Sequence, residues 1–146
     1  MVDKLSAEAR SLLMARVRQT GTQPERIVRS LLRRMRLRYN SHVRRLPGKP
    51  DLVLRDFRVA IFVHGCFWHN HTACRRGSLP RSNRHFWLPK IASNVRRDRV
   101  AVRALRAAKW RVAIIWQCQT ADEHRLVARI RRLAAGSANK SSRSDR

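Results

Sequence analysis

The sequence has few acidic residues and no hydrophobic run long enough to cross a membrane. Of its 146 residues only nine are Asp or Glu, against 34 Lys or Arg, which gives a net charge of +25. The longest apolar runs, at 59–63 and 112–116, have five residues each, whereas a transmembrane helix needs about 20. These shortages argue against a membrane-spanning protein and indicate a polyanionic partner.

Cysteine is also scarce, because the three residues present form an odd set that disfavours a disulfide framework. No secretion signal opens the sequence, so we expect a reducing, cytoplasmic compartment. A hydrophobic content of 43%, with four Trp and four Phe, predicts a folded core. The length is typical of one domain, which we expect over residues 1–135, followed by a disordered tail over 136–146.

The positive charge is spread along the whole sequence. Residues 1–50, 51–100 and 101–146 contain 13, 10 and 11 basic residues, with three acidic residues in each part. Arg supplies 29 of the 34 basic residues, and its planar guanidinium can bind a phosphate through two hydrogen bonds. We therefore predict a broad nucleic-acid-binding surface, although a ribosomal or architectural protein would have a similar charge.

Hydrophobic periodicity predicts four helices and three strands. Three helices are predicted at about 5–17, 86–108 and 122–134, and a further helix begins at the capping residue Thr22. The strands cover 51–54, 59–63 and 111–117, and the first two form a hairpin. Residues 40–50 and 64–83 are predicted loops. This order of elements favours an α/β fold with a mixed sheet flanked by helices.

The loop after the second strand concentrates potential metal ligands, with three His and two Cys in residues 64–74. A set suited to tetrahedral Zn²⁺ in a closed, structural site consists of Cys66, His71, Cys74 and Cys118. His69 or His64 could take the place of His71. In the alternative interpretation, Cys66 and Cys118 are small buried apolar residues and the histidines face solvent.

Asp51 stands where a catalytic metal ligand is expected. It follows Pro50 at the start of an apolar strand, where a carboxylate must be solvated, hydrogen-bonded or bound to a cation. Mg²⁺ is commonly held by one or two carboxylates with waters and a phosphate. The alternative is a strand-capping Asp. Glu25 is equally open, as the acid of a capping box or as an indirect metal contact.

Asp98 lies on the predicted inward stripe of the third helix, with Ile91, Val95, Val102 and Leu105. An acid in this position requires a partner. A histidine of the adjacent loop would make the pair a general base, whereas an arginine would make it a buried ion pair.

Four of the nine aromatic residues flank the same region, namely Phe67, Trp68, Phe86 and Trp87. Packing in a small core is the ordinary role of such side chains. Beside a basic surface they can instead enter a base stack and kink a duplex.

Several segments resemble one bacterial family. They are residues 46–53 (LPGKPDLV), 61–69 (IFVHGCFWH), 86–91 (FWLPKI) and 94–99 (NVRRDR). Together they resemble the very short patch repair DNA mismatch endonucleases, over about residues 5–120. The resemblance implies a variant of the restriction-endonuclease-like fold. It also implies an enzyme that nicks one strand beside a T·G mismatch left by deamination of 5-methylcytosine.

By position, the resemblance implies a role for individual residues. Mg²⁺ would be bound by Asp51 and the main-chain carbonyl of Val63. Its waters would be held, or protons transferred, by Glu25, His64 and His69, with Asp98 orienting His69. Zinc would be bound by Cys66, His71, Cys74 and Cys118. The residues implied to enter DNA are Phe67, Trp68 and Trp87 at the mismatch, and Met14 of the first helix, within residues 1–20, in the opposite groove.

The sequence departs from the family pattern in two places. Val63 and His64 stand where the restriction-type pattern normally has an acid and a Lys, so the resemblance implies a carbonyl and a histidine instead. The spacer Thr72-Ala73 before Cys74 is one residue longer than in the best-known member.

The function expected is Mg²⁺-dependent nicking, in which His69 takes a proton from the attacking water and His64 supports solvent near the leaving oxygen. The expected partner is double-stranded DNA with a T·G mismatch at the bacterial nucleoid, bound by a monomer. Recruitment by other mismatch-repair proteins stays open. Two alternatives are a related restriction or anti-phage nuclease, and a zinc-stabilised DNA-binding module without catalysis.

Overall fold

A computed structural model describes residues 2–136. Its helices are α1 (Ala7–Arg16), α2 (Gln23–Arg34), α3 (Arg84–Ala107) and α4 (Glu123–Ala135). Its strands are β1 (Asn40–Ser41), β2 (Leu52–Leu54), β3 (Val59–His64) and β4 (Arg111–Trp116). Apart from Gly136, the predicted tail lies outside the described residues.

The four strands form one mixed sheet in the order β1-β2-β3-β4. The first three are antiparallel neighbours, and β4 runs parallel to β3. A parallel pair needs a long crossover connection, which α3 provides. The predicted mixed sheet with flanking helices is confirmed.

The prediction that residues 40–50 form only a loop was wrong. Asn40 and Ser41 pair with Val53 and Leu52 as strand β1. Both residues of β1 are polar and exposed, so no alternating apolar pattern marks this strand in the sequence.

The sheet buries apolar side chains on both faces. One face contacts α2 and α4, and its core consists mainly of Val28, Leu31, Leu32, Leu52, Leu54, Val59, Ile61, Ile115, Leu126 and Ile130. The other face contacts α3 through Ala60, Phe62, Ala101 and Leu105. Burial on both faces accounts for the continuous apolar runs of β3 and β4.

The predicted stripe of α3 is only partly buried. Ile91 and Leu105 are buried, whereas Val95 and Val102 are half-buried. Val102 lines an open groove with Arg106 and Ile114.

Thr22 caps α2 as predicted, whereas Glu25 accepts from the Gly21 N–H and not from the Thr22 N–H, as the predicted capping box requires. Thr22 accepts a hydrogen bond from the Glu25 N–H at 3.4 Å, and Asp122 accepts one from the Arg125 N–H at 3.0 Å. Each satisfies a backbone donor at a helix start. Within residues 2–136, no helix is both long and apolar enough to cross a membrane.

Candidate active site and metal clusters

Asp51 directly precedes β2 and contacts the neighbouring strand β3. Its Oδ2 accepts a hydrogen bond from the N–H of Val63 at 2.7 Å. Val63 therefore contacts Asp51 through its N–H. The resemblance implies a different group of Val63, its carbonyl, as a metal ligand. The bond holds the Asp51 carboxylate beside the last residues of β3.

Glu25 combines two interactions at the start of α2. Its Oε2 accepts a hydrogen bond from the Gly21 N–H at 3.0 Å, which closes the turn before the helix. Its Oε1 lies 2.9 Å from Nε2 of His42, yet no group in the described part of the chain donates an aligned hydrogen bond to this buried atom. Glu25 thus contributes to the helix start and also presents an oxygen to the site.

His42 is a site residue that sequence reasoning missed. Its N–H donates to the Asp51 carbonyl at 3.0 Å, because His42 follows β1 and lies opposite Asp51 when the register of β1 and β2 is continued. The only local signal was a histidine inside a predicted loop, which does not indicate a contact with Asp51.

This arrangement suits a hard divalent cation. Glu25, His42 and Asp51 each offer a ligand atom, and these atoms lie within 4.8 Å of one another. Burial, together with the nearby Glu25, raises the pKa of Asp51 to about 6, although the Val63 hydrogen bond opposes the rise. A cation would compensate the buried Glu25 and half-buried Asp51 carboxylates and satisfy Glu25 Oε1, so the residues fit Mg²⁺.

A second cluster joins His64, His69 and Asp98. Nδ1 of His69 lies 2.6 Å from Oδ2 of Asp98. The rings of His64 and His69 stack with their centroids 3.8 Å apart, and His64 Nε2 lies 3.9 Å from Asp98 Oδ1. Asp98 was predicted to pair with either a histidine or an arginine. In the structure it lies beside the two histidines.

The two histidines have different surroundings. Burial, and then the neighbouring His69, lowers the pKa of His64 to about 4, so His64 is neutral near pH 7. Its Nδ1 is buried and has no hydrogen-bond partner among the residues that the structure describes. The His69 side chain is 26% exposed, and its Nε2 remains available when Nδ1 contacts Asp98.

Asn94 supports the loop that carries His69. Its Nδ2 donates to the carbonyl of Trp68 at 2.9 Å, one turn of α3 before Asp98. Sequence reasoning missed this residue because an Asn on a helix gives no signal of a distant backbone partner.

The Cys and His residues of the predicted zinc set form a separate cluster. One ligand atom from each lies within 4.8 Å of the others, for Cys66, His71, Cys74 and Cys118. His64 and His69 belong to the Asp98 cluster, so His71 is the histidine brought to the cysteines. The parallel pairing of His64 with Trp116 explains why Cys66 and Cys118, each two residues further on, meet.

The geometry of this cluster fits a tetrahedral metal. Sγ of Cys118 lies 3.4 Å from Nδ1 of His71, and a Zn²⁺ tetrahedron with ordinary Zn–S and Zn–N bonds has an S···N edge of about 3.5 Å. Burial raises the pKa of Cys66 to about 11, a cost that a metal would remove by binding the thiolate. The loop is closely packed, since a Cβ on Gly77 would lie 2.1 Å from the His71 carbonyl oxygen.

The predicted aromatic residues contact one another beside the second cluster. Trp87 lies 5.2 Å from Phe67 and 6.0 Å from Trp68, between ring centroids. Trp87 is buried, whereas Phe67 and Trp68 are half-buried. Phe67 and Trp68 therefore present the accessible ring surface, supported by Trp87.

Met14 lies on α1 and is half-buried, while Leu12 and Leu13 beside it are exposed. The helix is connected to the aromatic cluster through Asp3, whose Oδ2 accepts a hydrogen bond from Trp87 Nε1 at 3.0 Å. The structure therefore links the N-terminal helix to the aromatic residues.

The site combines the buried Glu25 and half-buried Asp51 carboxylates, a carboxylate–histidine pair and a strongly basic chain, which are features of a metal-assisted phosphodiesterase. Comparison with known proteins identifies the family. The sequence model of the family described as DNA mismatch endonuclease Vsr matches residues 2–76.

Similar full-length proteins extend this match. Type II nicking enzyme V.XorIIP of Xanthomonas oryzae pv. oryzae is 48% identical over 133 residues, covering 91% of this chain and 97% of the relative. DNA mismatch endonuclease Vsr of Escherichia coli strain K12 is 37% identical, with coverages of 86% and 80%. Type II nicking enzyme V.NmeAIP of Neisseria meningitidis is 35% identical, with coverages of 91% and 94%. The chain belongs to the Vsr family and is a DNA endonuclease, which confirms the resemblance.

Proposed function

We propose that the protein is a Mg²⁺-dependent endonuclease that nicks one strand of DNA beside a T·G mismatch produced by deamination of 5-methylcytosine. The observation that carries this proposal is the 2.7 Å hydrogen bond from the Val63 N–H to Asp51, which supports a carboxylate beside the strand that leads to the His69–Asp98 pair. The names of the relatives, which are a mismatch endonuclease and nicking enzymes, support it. The fold proposed is the restriction-endonuclease-like variant, which the mixed sheet between helices supports.

The proposed metal site consists of Asp51 and the main-chain carbonyl of Val63, with Glu25 beside them. Bound Mg²⁺ would polarise the scissile phosphate and lower the pKa of a bound water. Asp51 contributes a carboxylate whose position is fixed by the Val63 N–H at 2.7 Å. Glu25 contributes a buried oxygen without a hydrogen-bond donor.

His69 is proposed as the general base. Asp98 accepts from Nδ1 and so selects the tautomer in which Nε2 is the free acceptor of a proton. His64 stacks on His69 and stays neutral near pH 7, so it does not repel the protonated His69 by charge. His64 would support solvent near the leaving oxygen.

Mismatch selection is proposed to come from Phe67 and Trp68, with Trp87 supporting them. A mispaired step stacks less well than a normal pair, so inserting an aromatic side chain there costs less. Met14, on α1, is the proposed contact in the opposite groove. The proposed substrate is double-stranded DNA at the nucleoid, bound by a monomer.

The Cys–His cluster is proposed as a structural zinc site. Its support is the closed set of four ligand atoms, which would hold together the loop after β3 and the end of β4. Elemental analysis of the purified protein should find one zinc per chain, and chelation should lower the melting temperature. A folded protein that contains no metal would contradict this proposal.

The proposed function is tested with labelled duplexes that differ only in a T·G or a C·G pair, with and without Mg²⁺, analysed strand by strand. We expect one nicked strand, only with T·G and Mg²⁺. Asp51→Ala should abolish cleavage and largely preserve DNA binding, whereas Asp56→Ala, on the exposed hairpin turn, should cleave normally.

The alternatives give different results in the same assay. Cleavage of another DNA target without preference for T·G would indicate the related restriction or anti-phage nuclease. Binding without cleavage by the wild type in Mg²⁺ would indicate a DNA-binding module. Normal cleavage by Asp51→Ala would exclude the proposed metal site.

A further inference from the structure

His42 is a titratable residue beside the proposed metal site that the proposed reaction leaves without a role. The β1–β2 ladder pairs Asn40 with Val53 and Ser41 with Leu52, and the His42 N–H continues it by donating to the Asp51 carbonyl. His42 is thus fixed opposite Asp51 by backbone hydrogen bonds. Its side chain is 36% exposed, so a ligand from solvent has access to it.

The contact between His42 and Glu25 lacks the alignment of a hydrogen bond. The Glu25 side chain is only 3% exposed, and its Oε1 lies 2.9 Å from His42 Nε2. Among residues 2–136 this oxygen nevertheless has no hydrogen-bond partner, whereas Oε2 of the same carboxylate is bonded to the Gly21 N–H. A buried carboxylate oxygen left in this way is unfavourable unless another group binds it.

The distance between Glu25 Oε1 and His42 Nε2 is close to that expected for neighbouring ligands of one ion. In an octahedral site with bonds of about 2.1 Å, adjacent ligand atoms lie about 3.0 Å apart. The observed separation is 2.9 Å, and the Asp51 ligand atom completes a set within 4.8 Å. The three side chains thus offer two carboxylates and one imidazole nitrogen to an ion.

We propose that His42 is a further protein ligand of the catalytic cation, through Nε2, beside Asp51 and Glu25, and that it increases the affinity of the site for transition-metal ions relative to Mg²⁺. This inference rests on the proposed function, because it takes Asp51 as a metal ligand. An imidazole nitrogen binds first-row transition ions more strongly than it binds Mg²⁺, which prefers oxygen. The enzyme would therefore accept Mn²⁺ with higher affinity than an all-oxygen site would.

Manganese is the probe, because its electron paramagnetic resonance reports both binding and the ligand type. The protein is first loaded with zinc to fill the cysteine cluster and is then titrated with Mn²⁺ without DNA. We expect one bound Mn²⁺ with a spin-echo modulation from a coordinated ¹⁴N. His42→Gln should remove this modulation and weaken Mn²⁺ binding by about 10- to 100-fold, with a smaller effect on Mg²⁺ binding.

Two further variants make the result specific to this imidazole. His124→Gln removes an exposed histidine of α4 and should leave both readouts unchanged. His42→Gly suits the backbone, because His42 has a φ of +50°, a conformation that favours glycine. Added imidazole should restore the ¹⁴N modulation in His42→Gly and not in Asp51→Ala.

The outcomes separate this inference from the proposed function. If His42→Gln and His42→Gly, with normal zinc content and melting temperature, keep the modulation and the Mn²⁺ affinity, His42 is not a ligand. Loss of Mn²⁺ binding and nicking in Asp51→Ala would then leave the proposed function intact. If Asp51→Ala itself retains Mn²⁺ with nitrogen modulation, the proposed metal site fails as well.

Discussion

Asp98 is the residue through which α3 acts on the proposed general base. Its carboxylate lies 2.6 Å from Nδ1 of His69 and 3.9 Å from Nε2 of His64. The interaction with His69 orients the ring and stabilises the imidazolium formed when Nε2 takes a proton. Asp98 therefore positions His69 and is not itself required to contact the substrate.

We expect Asp98→Asn to lower the single-turnover nicking rate by about 10²- to 10⁴-fold. The amide keeps the size of the carboxylate, but it removes the charge and allows the wrong His69 tautomer. DNA affinity should be unchanged in a binding titration, and the exposed control Asp56→Asn should retain full activity. An equal loss of DNA affinity would show that Asp98 acts in substrate binding.

For individual residues, the sequence identified the candidate side chains but did not determine which partners they contact. The sequence has few acidic residues, and none lies between Asp56 and Asp98. This scarcity made Asp51 and Asp98 the main candidates. Whether Asp98 would meet a histidine or one of 29 arginines depended on the path of the loop over α3. That path is set by contacts such as Asn94 to Trp68, which have no local sequence signature.

Among the elements, α3 connects the aromatic cluster to the proposed catalytic residues. One face of the helix carries residues at alternating spacings of four and three, which are Trp87, Ile91, Asn94, Asp98, Ala101 and Leu105. These spacings place side chains on the same side of a helix. A rigid helix thereby sets the distance between the rings proposed to enter DNA and the carboxylate that orients His69.

The segment before α1 is attached to the start of α3 by Asp3. Its side chain is 6% exposed and accepts from Arg10 Nε at 2.7 Å and from Trp87 Nε1. The hydrogen bond from Arg10 is the main cause that lowers the pKa of Asp3 from 3.8 to about 2. A carboxyl with a lowered pKa stabilises the folded state above its ordinary pKa, and this contribution is lost as the pH falls toward 2.

Asp3→Asn should therefore lower the melting temperature at pH 7, and the difference from wild type should shrink between pH 4 and pH 2. The reason is that the protonated carboxyl of Asp3 and the amide that replaces it in the variant are both neutral. Thermal unfolding of the two proteins at matched pH measures this difference, with Glu8→Gln on the exposed side of α1 as the control. A difference that stays constant down to pH 2 would show that the ionised carboxylate is not responsible.

Across the whole molecule, positive charge greatly exceeds what internal ion pairs can use. In the described part of the chain, salt bridges to acids involve Arg10, Arg34, Arg38 and Arg125. Most other arginines are exposed and are free to contact phosphates. DNA binding by such a surface releases counterions and depends strongly on salt.

If six to ten phosphates are contacted, DNA affinity should fall by about 10³- to 10⁵-fold between 50 and 200 mM salt. Arg75→Gln, beside Cys74, should reduce the slope of log affinity against log salt by about one. Arg34→Gln should change it little, because Arg34 is already 2.9 Å from Glu123. Titration of a labelled duplex at several salt concentrations measures both slopes, and a flat dependence would contradict a phosphate-binding surface.

The amino-acid sequence by itself determined the properties that depend on composition and on neighbours along the chain. The charge indicated a polyanionic partner, periodicity located α2, α3 and α4, and the spacing of Cys66, His71 and Cys74 indicated a metal cluster. Only the tertiary structure decided which distant groups meet: Cys118 with that cluster, Asp98 with His69, and His42 with Glu25 and Asp51. The reason is that these contacts follow from strand register and loop path, which arise from the packing of the whole chain rather than from any short segment of it.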